Sequence, residues 1–195
     1  MSRYRTLLLT IIVLAVFTGC ATSPASNFYT LSPVQSVGQP QDADPILIAI
    51  DPVTVPDLVD RPQIVSRLDA NRVSIDEFAR WAEPLKSQIS RALAADLAQR
   101  IPGAIVSSYP QRVDENAFRV SVDVQSFDSS SDGTVMLAVI WSVRQPKRGE
   151  RTRGRTVVRE AASEPGYGAL VATHSRALAS VADDVAVAVR SVMRQ

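Results

Sequence analysis

The sequence predicts an α+β fold, a mostly antiparallel sheet with two amphipathic helices packed on one face. Three observations lead there. Apolar and polar residues alternate strictly over 118–125, the period of a strand with one wet face. The run 134–143 is apolar at nearly every position, as in a strand set inside a sheet. Two other stretches, one beginning near Pro84 and one at the C-terminal end, repeat their apolar residues at helical spacing. The order strand, helix, meander, helix is met by helices segregated to one side of the sheet.

The first residues stand apart from this pattern. Arg3 and Arg5 precede an apolar run over 7–17, broken only by Thr10, and Thr18 and Gly19 lead to Cys20. A basic start, an apolar run too short to span a hydrocarbon core, and small residues before a cut are the parts of an export signal. Phe17-Thr18-Gly19-Cys20 resembles the bacterial lipobox, with Phe17 where leucine is usual, and that resemblance implies acylation at Cys20. The plain alternative is ordinary cleavage that discards the cysteine or leaves it free. Residues 1–19 are thus read as a signal peptide and 20–27 as a lipidated N-terminus and tether. The tether reaches at most about 25 Å. Residues 28–195 form a single periplasmic α+β domain. Ala21, rather than aspartate, follows the cysteine, which favours delivery to the outer membrane. Cys20 is the only cysteine, so no intrachain disulfide forms.

Within the domain, 28–31 is a brief β-prone patch and 32–45, with its prolines and Gly38, a loop. An apolar strand over 46–51 ends at Pro52, and 53–62 reads as irregular. Weaker strands over 63–68 and 72–78 flank a turn at Asp69-Ala70-Asn71. Ser74 with Glu77 also fits a helix capping box, so a helix stays open there. Pro84 suits the first turn of a helix. Leu85, Ile89, Leu93, Leu97 and Ile101 form its apolar row, with Lys86, Ser90, Arg91 and Gln99 facing elsewhere, and Pro102-Gly103 stops it. After the strand over 118–125 come a turn over 128–133 and the strand over 134–143. The second face of that strand, Met136, Ala138 and Ile140, is expected to be at least partly covered. A polar turn over 145–150 and a more polar strand over 152–160 follow. Val171, His174, Leu178, Val181, Val185, Ala188 and Val192 then trace a terminal helix of roughly 25 residues.

Composition excludes several functions. Without Arg3 and Arg5 the mature chain has 19 basic against 20 acidic side chains, since the whole has 21 and 20, so no polyanionic partner is called for. His174 is the single histidine and lies on an apolar stripe, where a hydrogen-bonded core histidine is the ordinary reading. An envelope hydrolase would have to be built around it. A zinc site lacks ligands, so neither a metal nor a cofactor is expected. Asp183 and Asp184 point about 100° apart on a helix and read as solvated surface. Gly149 and Gly154 lack the lysine and hydroxyl of a phosphate loop. The segment 144–159 concentrates Arg144, Lys147, Arg148, Arg151, Arg153, Arg155 and Arg159. It reads first as a solvated hairpin tip, with contact to lipid phosphates or an acidic partner as the competing reading. Nucleic acid is set aside because no stacking aromatics interleave the arginines.

One ordered set of short motifs remains: Phe28-Tyr29-Thr30-Leu31, then Val55-Pro56, then Asp60-Arg61-Pro62-Gln63-Ile64-Val65 with Arg67, then Arg80-Trp81-Ala82-Glu83-Pro84-Leu85. Behind the lipobox, this order resembles the PqiC-type auxiliary lipoproteins of ABC-type and MCE-domain transport systems. The resemblance implies a non-catalytic, outer-membrane lipoprotein of an intermembrane lipid or hydrophobic-substrate transport system. Its partners would be an MCE-domain protein and the associated membrane transport subunits, with outer-membrane lipid held through the acyl anchor. A homo-oligomer would suit a subunit seated on a hexameric MCE channel. Tyr29, Asp60, Arg61, Pro62, Gln63, Arg67, Arg80, Trp81 and Pro84 are the candidate interface residues, with a structural role for each as the alternative. Trp81 is expected in the core rather than paired with Arg80. A periplasmic lipid-binding carrier and a structural, cell-wall-binding envelope lipoprotein are the other readings of the same features.

Overall fold

The computed structural model describes residues 24–35, 45–108, 114–146, 149 and 151–194. The expected signal peptide, Cys20 and the start of the tether lie outside the described residues, as do Lys147 and Arg148. The strands are β1 (Asn27–Tyr29), β2 (Ile46–Ile50), β3 (Gln63–Arg67), β4 (Val73–Trp81), β5 (Ala104–Ser107), β6 (Phe118–Ser130), β7 (Thr134–Arg144) and β8 (Arg151–Ala161). The helices are α1 (Leu85–Arg100) and α2 (Tyr167–Met193).

The eight strands form one mixed sheet, and the class is α+β. Its long ladders, β6 with β7 and β7 with β8, are antiparallel hairpins, as is the shorter β3 with β4. The short pairings of β1 with β4, β2 with β5, β2 with β6 and β3 with β6 are parallel. Strand β6 organises the rest. One edge pairs with β7 along its length, while the other takes β2 at Phe118 to Val120 and β3 at Ser129 and Ser130.

Strand β6 runs past its expected end because its alternation changes phase. Val120, Val122 and Val124 point inward, a bulge follows between Val124 and Ser126, and Phe127 and Ser129 then become the buried positions. A bulge inserts one residue and so reverses the face of everything after it. The turn shrinks to the residues around Gly133, whose φ of 83° suits glycine. In β4 the strand reading prevails over the capping box. Val73 and Ile75 pair with β3, and Asp76 accepts backbone N–H bonds from Phe78 (2.8 Å) and Ala79 (3.1 Å), closing a local irregularity. Strand β5, beside β2, had no periodicity to announce it.

Helix α2 lies against β7 and β8 and carries its expected stripe inward: Val171, His174, Leu178, Val181, Val185, Ala188 and Val192 are all buried. Helix α1 packs beside α2 and over β5. The expected apolar row of α1, Leu85, Ile89, Leu93, Leu97 and Ile101, is buried, but polar side chains are buried with it, including Ser90, which was expected to face elsewhere. Gln88 and Asp96 are completely buried, and Ser90 turns inward to donate to the carbonyl of Ser108 at 2.8 Å. Gln88 and Asp96 are drawn inward by a strap formed by 31–34, which crosses both helices without a strand partner. Its backbone N–H groups need acceptors, since an unpaired buried donor costs about 1–3 kcal/mol. Leu31 donates to Gln88 Oε1 at 2.8 Å, Ser32 to Ser175 Oγ at 3.2 Å and Val34 to Asp96 Oδ1 at 3.0 Å.

In β7, Val135, Leu137, Val139, Trp141 and Val143 are buried under α2, and on the other face Ala138 is buried while Met136 and Ile140 are 39% and 44% exposed, so that face is partly covered. Gly154 meets Trp141 across the β7–β8 ladder, and a Cβ there would lie 2.1 Å from the indole. The glycine is a shelf for the ring. The indole N–H donates to Thr156 Oγ1 (2.9 Å), which donates to Asp184 (2.6 Å), while Asp183 pairs with Arg100 (2.5 Å).

Candidate partner-docking site

Two backbone hydrogen bonds tie the end of β4 to its surroundings, one to the loop before β3 and one to β1. Trp81 N–H donates to the carbonyl of Pro62 at 2.7 Å, and Ala82 N–H to that of Tyr29 at 2.9 Å. Pro84, with φ −51° and ψ 129°, then turns the chain into α1. Proline fixes φ, so the chain leaves β4 in a set direction. Just upstream, Val59 and Asp60 close a turn onto the carbonyl of Pro56.

The result is a cleft of about 410 Å³ lined by Asp60, Arg61, Pro62, Trp81, Ala82, Glu83, Pro84 and Leu85. Asp60, Arg61, Pro62, Trp81 and Pro84, singled out in the sequence from two separate motifs, thus meet around one space. Trp81 forms a wall and is core as expected, its ring meeting Phe127 edge-on at 6.0 Å. Both acids of the cleft are committed elsewhere: Asp60 to Lys86 (2.6 Å) and Glu83 to Arg91 (2.5 Å). Arg61 is left over. It has no side-chain partner among the described residues, and its Nε is buried without an acceptor. A guanidinium in this setting has the donor geometry that matches a carboxylate or phosphate.

The other candidates lie apart from this cleft. Tyr29 offers it only a backbone carbonyl, its ring packing on Tyr167 at 5.9 Å. Gln63 sits across the ladder from Arg80 and donates to Glu77 at 3.0 Å. Arg67 pairs with Asp128 at 2.9 Å. Lys86, which holds Asp60, was missed, although it follows the motif directly. Gln88 and Asp96, which hold the strap, were missed too, and their spacing of two helical turns was the available sign.

His174 is not a reachable base. Its Nε2 is 2.9 Å from Ser129 Oγ, but the ring is fully buried and stacked on Phe127 at 3.8 Å. Nδ1 has no partner to orient it among the described residues. Burial pushes the imidazole pKa down from 6.5 to about 3. A general base near neutral pH needs the opposite tuning and a path to substrate.

The described residues thus form an α+β fold with a cleft that presents one cation without an acid of its own. The chain belongs to the family described as ABC-type transport auxiliary lipoprotein component, whose model matches residues 29–186. It is 30% identical over 125 residues to the intermembrane transport lipoprotein PqiC of Escherichia coli (strain K12), and equally to that of Shigella flexneri. Those alignments cover 63% of this chain and 66% of each relative, just short of two thirds of their length. The fold recurs in a crystal structure of an uncharacterized protein (21% identity, TM-score 0.73, covering 85% of this chain and 99% of that one). It recurs again in a Xanthomonas campestris protein (17% identity, TM-score 0.64, 87% and 100%). Among the described residues no helix is long and apolar enough to cross a membrane.

Proposed function

We propose that this protein is a membrane-anchored auxiliary subunit of an intermembrane transport system, and that its cleft docks an MCE-domain partner. Export would remove residues 1–19 and leave Cys20 acylated in the outer membrane, with the domain facing the periplasm. The domain would act without catalysis, as a fixed receptor for transport subunits anchored in the inner membrane. Family membership and the likeness to the PqiC lipoproteins support the transport role. The observation that carries the docking site is Arg61, unpaired in a cleft whose own acids are bound to Lys86 and Arg91. A partner carboxylate entering beside Trp81 would supply the missing acceptor, and a charge-assisted hydrogen bond of this kind contributes about 1.5–3 kcal/mol.

Affinity capture from solubilised envelopes tests this reading. The wild-type chain is expected to recover an MCE-domain protein, and Arg61→Glu to lose it while keeping its fold and acylation. Capture of that protein at equal yield by both, or by neither, contradicts the assignment.

A further inference from the structure

The outer face of the β7–β8 hairpin carries a row of arginines without ion-pair partners among the described residues. Arg151, Arg153, Arg155 and Arg159 share one face of β8, and Arg144 of β7 stands directly opposite Arg151. None of them forms an ion pair among the described residues. On the neighbouring β6, Asp128 is paired with Arg67, and Asp123, opposite Ile140, is held by the neutral side chains of Thr54 and Gln125 and is the one acid of that strand without a cation of its own among the described residues. Asp132, on the β6–β7 turn, only feels Arg159 at a distance. Like charges facing each other across a ladder oppose folding, so this row costs stability that its surroundings do not return.

Apolar side chains are interleaved with the row. Ile140 lies opposite Arg155 and Met136 opposite Arg159, and Val157, 49% exposed, sits between those two arginines along β8. Arg144, at one end of the row, lines a cleft with Asp114 and Glu115, but none of the main clefts includes Met136, Ile140, Val157 or an arginine of β8. Protein interfaces draw their affinity from anchor residues seated in pockets, and none of those clefts opens on the apolar part of this face. Guanidinium groups with aliphatic residues between them suit a layer of phosphates over acyl chains, where arginine binds phosphate in a bidentate fork and its stem lies along apolar surface.

We propose that the β7–β8 outer face rests on an anionic bilayer, its arginines on headgroup phosphates and Met136, Ile140 and Val157 at the headgroup–acyl boundary. This deepens the membrane attachment proposed above by fixing which face meets the lipid.

The test places a nitroxide on Val157→Cys in the full chain purified from envelopes and reconstituted in vesicles. In phosphatidylethanolamine–phosphatidylglycerol vesicles the label should be shielded from a water-soluble nickel chelate and open to oxygen. In phosphatidylcholine vesicles, or in molar salt, it should be open to both, since salt screens the phosphate contacts. Each arginine near an anionic surface contributes about a fivefold bias. Arg151→Thr/Arg153→Thr/Arg155→Thr should therefore lower the ratio of shielded to open label on the order of a hundredfold, while its thermal melt stays equal or rises. Equal exposure in both vesicle types overturns the proposal. So does shielding in detergent alone, which marks contact between copies, or shielding that appears only when envelope protein is added, which marks an acidic partner. Intact mass separates this from the anchor: a chain lacking acyl groups at Cys20 that is still shielded on anionic vesicles sinks the acylation and leaves this face standing.

Discussion

The buried imidazole of His174 makes the fold acid-sensitive in a window that exposed carboxylates do not share. In the unfolded chain His174 takes a proton near pH 6.5, whereas in the folded chain burial holds it neutral down to about pH 3. Between those limits the unfolded state binds the extra proton. Stability is therefore fully present above pH 6.5 and is lost as pH falls toward 3. The limiting slope is about 1.4 kcal/mol per pH unit, so the loss between pH 6 and 4 is about 2–3 kcal/mol. The depressed carboxyls of Asp69, held by the Asn71 N–H, and Asp76, held by the Phe78 N–H, withdraw stability only as pH falls through and below the ordinary aspartate range. Asp96 acts with the opposite sign, because burial raises its pKa and protonation there favours the folded state as pH falls. Urea unfolding followed by the fluorescence of Trp81 and Trp141, repeated from pH 7 to 4, reads the slope. His174→Gln should flatten it, and Ser129→Ala/His174→Leu, which removes both partners of the buried hydrogen bond, should do the same from a different starting stability. An unchanged slope in both variants, or a wild type that loses nothing over this range, would refute the assignment of the acid sensitivity to this ring.

Three further outcomes follow from single contacts. Gly154→Ala forces its Cβ into the Trp141 indole at 2.1 Å; it should cost about 1–3 kcal/mol or more and lower the melting temperature by roughly 4–10 °C in a thermal scan. Gln88→Leu leaves the buried Leu31 N–H without its 2.8 Å acceptor; it should cost about 1–3 kcal/mol and speed hydrogen exchange at Leu31 ahead of the sheet. Arg61→Ala removes a buried donor that has no acceptor; urea unfolding should shift by no more than about 0.5 kcal/mol, with partner capture lost.

The legibility of the fold followed the range of its interactions. Strand β7 and helix α2 were readable because each shows its own period over many residues, Val135 to Val143 at two and Val171 to Val192 at three and four. The extension of β6 was hidden because the bulge at Val124 and Ser126 reverses the phase, which reads locally as an ending. The parallel pairings of β2 with β5 and β6 join residues far apart, such as Ile48 with Val106 and Phe118, and no local pattern records such a register. The buried polar face of α1 was hidden for a related reason. Gln88 and Asp96 look solvated until the strap at Leu31 and Val34 arrives to claim them. The cleft was half legible. Asp60-Arg61-Pro62 and Trp81 with Pro84 stood out as motifs, but their meeting depends on the Pro62 to Trp81 backbone bond. That Arg61 would find both acids of its own cleft already taken depended on Lys86 and Arg91.

The most direct test of the docking site is photo-crosslinking in living cells from a benzophenone side chain at Ala82, exposed on the wall of the Arg61 cleft. An ultraviolet-dependent adduct with an MCE-domain protein is expected, and it should disappear when Arg61→Glu is added. An adduct with that protein that persists in the Arg61→Glu background, or no adduct from Ala82 while a label on the far face of the domain yields one, would contradict it.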